Sequence, residues 1–93
     1  MTEKLHSYIA RRSNEVGQQI RQTRQEKGWT QEEAAQVLNC SRRRFNRVEQ
    51  GYVQLGFAEI EALARAFGVP TSVLLGENRE MSRSRPVAPL QQP

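Results

Sequence analysis

Apolar residues recur at helical spacing through most of the chain, and no segment shows the strict apolar–polar alternation of a half-buried strand. The pattern predicts five helices. The first runs from about Asn14 to Lys27, with Val16, Ile20 and Thr23 on one stripe and Gly28 placed to stop it. The second opens on Thr30-Gln31-Glu32-Glu33, a capping box in which Thr30 and Glu33 satisfy each other's orphan amide donors. It carries Ala34, Ala35 and Leu38 and ends at Asn39, a residue type that tolerates the left-handed conformation. Ser41 caps a third helix that stops at Gly51. A fourth spans Phe57 to Phe67, with Phe57, Ile60, Leu63, Ala64 and Phe67 on its apolar side, and Pro70 pre-sets a short fifth through Leu75. The expected fold class is all-α.

The flanks read differently. Leu5, Tyr8 and Ile9 make one amphipathic turn, after which Ser13 and Asn14 read as a break that caps a new helix. Residues 1–13 are therefore expected to be an N-terminal arm or a short extra helix, and residues 14–76 the folded domain. Residues 77–93 hold three prolines and no apolar periodicity, which predicts a disordered tail.

The second and third helices are joined only by Asn39, Cys40 and the capping Ser41. So tight a turn is the helix-turn-helix arrangement, which presents its second helix to a major groove. Any short αα-hairpin would give the same pattern, so the side chains must decide. At 100° per residue, Phe45 and Val48 of the third helix form its core face. Arg43, Asn46, Arg47 and Gln50 then point outward, Arg42 lies on the flank at the first turn, and Arg44 falls nearer the buried side. This outward face lacks the Glu and Lys that a merely solvated helix mixes in for i,i+4 pairing. Arginine suits guanine O6 and N7 through a two-pronged fork, and Asn or Gln suits adenine or phosphate. Glu49 lies within about 70° of the core direction, so it is expected to be partly buried and paired, with Arg24 of the first helix its natural partner.

Composition narrows the partner class. The hydrophobic share of 37% and charged share of 26% fit a small globule better than a disordered chain. The net charge is only +4, yet four arginines fall within residues 42–47, and a focused basic spot on a balanced domain suggests a polyanion. No apolar run approaches the roughly 18 residues of a membrane span, and the charged N-terminus does not resemble a signal peptide. A cytoplasmic location is expected. The lone Cys40 excludes an internal disulfide, and one Cys with one His builds no usual zinc site, so no metal or cofactor is expected. The chain has no Asp, and Ser41, Cys40 and His6 form no catalytic constellation, so no enzyme is expected.

Several of these residues together resemble a known family. Val16 through Arg24, Gly28-Trp29-Thr30-Gln31-Glu32-Glu33-Ala34-Ala35, Ser41, Phe45, Val48-Glu49-Gln50-Gly51 and Ala64 through Val69 look like Cro/repressor-type (XRE-family) helix-turn-helix domains. The resemblance implies a compact five-helix bundle of the lambda-repressor-like type that binds double-stranded DNA, usually as a homodimer on an inverted repeat. It implies base readout by Arg42, Arg43, Arg47 and Asn46, and backbone contact by Gln31 and Gln50, with Gln31 also bracing the recognition helix. Ser41 and Arg44 are placed beside the backbone as well. It matches Arg24 and Glu49 to a buried ion pair. The chain departs from the family at Thr23 and Ala34, where Leu is usual. Trp29 and Phe45 are larger than usual and refill that volume, and Asn39 replaces a turn Gly.

The expected function is a transcriptional repressor. One small domain leaves no room for a ligand-sensing module, so control is expected through dimerisation, concentration or a partner. An antitoxin whose tail grips a toxin with Met81, Val87 and Leu90 is the DNA-linked alternative, and a protein–protein adaptor the alternative from another class. The dimer contact is expected at the fourth and fifth helices, through Ala58, Ala62, Ala66, Val73, Leu74 and Leu75, with the Leu5–Tyr8–Ile9 turn as its competitor.

Overall fold

Each helix begins and ends on a local signal, with one exception at the N-terminus. The computed structural model describes residues 2–77, so most of the expected tail lies outside the described residues. In order, α1 is Thr2–Glu26, α2 Gln31–Val37, α3 Arg42–Gln50, α4 Phe57–Phe67 and α5 Thr71–Leu74. No strand occurs among the described residues, and none of their helices is long and apolar enough to cross a membrane.

The capping chemistry is explicit. Thr30 Oγ1 accepts from the Glu33 amide at 3.0 Å, while the Glu33 carboxylate accepts from the Thr30 amide at 2.9 Å. Ser41 Oγ accepts from the Arg44 amide at 3.0 Å and starts α3. Asn39 takes a left-handed φ of 55° in the turn between α2 and α3. At the far end of α3, Gly51 at φ 89° turns the chain, so that its amide reaches the Val48 carbonyl and the Tyr52 amide reaches Arg47. The first turn of α4 uses a device the sequence reading did not include: the Glu59 carboxylate accepts from the Gly56 amide at 2.9 Å.

The exception is α1. Ser13 and Asn14 do not break it, and no separate N-terminal helix exists; one helix runs through both residues. Tertiary contacts favour continuation there over capping. Arg12 donates to Glu15 at 2.7 Å across the expected break and to the Leu75 carbonyl at 3.1 Å, tying α1 to the end of α5. The Glu15 hydrogen bond raises the Arg12 guanidinium above its ordinary pKa. Asn14 also lies against Gly51, where a β-carbon would stand 3.0 Å from its Cα.

The core joins all five helices through Ile20, Ala34, Ala35, Phe45, Val48, Ile60, Leu63, Ala64, Phe67 and Leu74. Trp29 stacks edge-on against Phe67, ring centres 5.3 Å apart, and packs against the core. Thr23 is buried as well. Phe57 corrects the expected pattern, being 68% exposed. It is the first residue of α4, and helical side chains lean toward the N-terminus. Its ring therefore lies beyond the last core layer, which ends at Ile60.

Candidate nucleic-acid interface

α3 is wedged between α1 and α2 by its buried side, Phe45, Val48 and Glu49. Arg42, Arg43, Arg47 and Gln50 are exposed, and Arg44 and Asn46 are half-buried. The side chains of Arg43 and Arg47 make no hydrogen bond or ion pair with any described residue, so both guanidinium forks remain open to a ligand. Ser41 Oγ accepts its capping bond and keeps its own proton to donate.

Beneath this face lies a connected set of polar side chains. Arg24 Nε donates to Glu49 Oε2 at 2.6 Å, and Arg24 Nη2 to Glu49 Oε1 at 3.3 Å, a forked pair that ties the end of α1 to α3. Arg24 Nη1 also donates to the Trp29 carbonyl at 2.8 Å. Gln31, the first residue of α2, extends the set outward. Its Nε2 donates to Glu49 Oε1 at 2.9 Å and to Asn46 Oδ1 at 3.0 Å, and its Oε1 accepts from Arg42 Nη1 at 3.3 Å. One amide thus connects the buried carboxylate to two outward residues of α3.

This geometry changes what two of the expected base readers can do. Reading adenine with Asn takes both its oxygen and its nitrogen, and the Asn46 oxygen is already held by Gln31. Arg42 leans toward Gln31 and not straight out along the helix. Sequence reasoning also missed Arg21, which lines the same cleft as Gln31, Arg42 and Gln50. The signal was present, since Arg21 stands three residues, one turn, before Arg24 on α1.

A family model described as a helix-turn-helix domain matches residues 15–75, which spans the end of α1 through α5. No curated protein matches the chain. The matched span contains the capped α2, the tight turn at Asn39 and the seated α3 with its open arginine forks. The chain belongs to a Cro/XRE-type helix-turn-helix family of DNA-binding domains.

Proposed function

We propose that the protein is a sequence-specific transcriptional regulator, a cytoplasmic repressor that binds an inverted-repeat operator as a homodimer with α3 in the major groove. The observation that carries this reading is the pair of unengaged arginines, Arg43 and Arg47, on the solvent face of a helix fixed from below by Glu49 and Gln31. Open guanidinium forks on a rigid support meet the requirement for bidentate guanine recognition. Arg42 adds a third fork at the leading turn. Asn46 contributes its amide donors, while its oxygen serves the brace. Gln31, Ser41, Arg44 and Gln50 sit around the rim, where hydroxyl, amide and guanidinium groups suit phosphate oxygens and fix register without reading sequence.

In-vitro selection from a random duplex library tests the reading. Enrichment of an inverted repeat, with half-sites about one helical turn apart, is the expected outcome. Recovery of unenriched sequence would remove the sequence-specific regulator.

A further inference from the structure

On the expected α4–α5 surface Ala58 is exposed and Ala62 and Ala66 are half-buried. Leu74 is completely buried, and Val73 and Leu75 are half-buried. Of the five large apolar side chains exposed among the described residues, three stand on the first turns of α1: Leu5 at 62%, Tyr8 at 52% and Ile9 at 45%. With Arg12 and Val16 they form one stripe at helical spacing. Tyr8 and Ile9 also form the rim of a groove of about 230 Å³, whose apolar walls include Val16, Val53, Leu55 and Ile60. A protruding apolar ridge therefore runs directly into an apolar recess on the same helix.

We infer that this face pairs with the same face of a second copy of the chain, α1 against α1 and antiparallel, across a two-fold axis between Ile9 and Ala10. The pairing completes the dimeric reading proposed above. A two-fold contact must be self-complementary, and here the ridge lies on one side of the axis and the recess on the other. The operation carries Leu5 onto the turn holding Arg12, Ser13 and Val16 of the second copy, where the groove lies.

Charge follows the same symmetry. Lys4 and Glu15 flank the stripe on one side, about 20° apart on the helical wheel, and are equidistant from the axis. Antiparallel pairing sets each Lys4 opposite the second copy's Glu15, twice per dimer. The Glu15 side chain is 49% exposed beside Arg12, so it retains room for a second cation.

None of Arg42, Arg43 or Arg47 lines the groove, so dimerisation leaves the reading face open.

Sedimentation equilibrium of the full chain tests the pairing. The wild type is expected at twice the 10.7 kDa chain mass, and the double variant Leu5→Glu, Ile9→Glu at the chain mass with an unchanged far-UV spectrum. Lys4→Glu should weaken the dimer about tenfold, and adding Glu15→Lys should restore most of that loss. A wild type that stays monomeric, whether its groove is filled by residues 78–93 or left for a foreign helix, overturns the proposal. So does a dimer that survives the Leu5 and Ile9 changes, or a charge swap that restores nothing. Half-site DNA affinity of the monomeric variant reports on α3 alone, so the DNA reading and the pairing fail separately.

Discussion

Gly17 lies directly beneath the carbonyl of Val48: a β-carbon on it would stand 2.5 Å from that oxygen and 2.6 Å from the carbonyl oxygen of Glu49. Contact this close lets the backbone of α3 rest on α1 with no side chain between them. Alanine is the better helix former by about 1 kcal/mol, yet neither neighbour is a flexible tip that could move aside. Gly17→Ala is therefore expected to destabilise the domain by about 1–3 kcal/mol in denaturant melts. A neutral or stabilising result would show that α1 and α3 are farther apart. Gly56→Ala, where the nearest atom is Glu59 Oε1 at 3.7 Å, serves as the tolerated control.

The Arg24–Glu49 pair is buried and forked, so removing one partner strands the other. Glu49→Ala is expected to cost about 3–5 kcal/mol of stability, and Arg24→Met with Glu49→Leu to recover much of it. Equal and small losses for the single and double variants would mean that the pair is solvated. Denaturant melts of the three proteins decide.

Readout and support should separate in DNA titrations. Arg43→Ala or Arg47→Ala is expected to cost about 1–3 kcal/mol on the preferred site and to relax preference at one base position per half-site. Gln31→Ala should weaken binding on every sequence, because it releases Asn46 and Arg42 and removes the contact proposed for it with the DNA backbone. If both arginine variants keep affinity and preference, α3 presents a different face to DNA.

Asn39 holds the turn at φ 55°. Asn39→Gly should be tolerated within about 0.5 kcal/mol, whereas Asn39→Val should cost about 1–2 kcal/mol, since a branched side chain resists the left-handed region. Thermal melts of the two variants compare them directly, and equal stabilities would remove the strain argument.

What was legible in the sequence was local. Thr30 with Glu33, Asn39, Ser41 and Gly51 act on backbone groups within a few residues, so the limits of α2 and α3 could be read from residue type. The wheel also placed Glu49 near the apolar face, because periodicity within one helix is itself local. Continuity of α1 was not legible. Ser13 and Asn14 have the chemistry of a cap, and what overrides it is the Leu75 carbonyl, 63 residues from Arg12. The role of Gly17 was not legible either, because the α3 backbone that it rests against begins 31 residues away, at Val48. The engagement of Asn46 by Gln31 was hidden for the same cause: two elements must meet before one amide can occupy the other.

An unbroken α1 makes the chain a lever with no joint. Twenty-five residues at about 1.5 Å each form a rod of roughly 37 Å, with Leu5 near one end and Arg24, clamped to Glu49, near the other. In the proposed dimer, two such rods joined at their first turns would hold two reading helices at a set distance and angle, with no hinge between them to absorb error. One base pair added between half-sites shifts a target by about 3.4 Å and turns it about a tenth of a helical turn around the axis. A hinged dimer would follow that displacement. This one would leave the DNA to twist or bend, so the operator's spacer is expected to be as restricted as its bases.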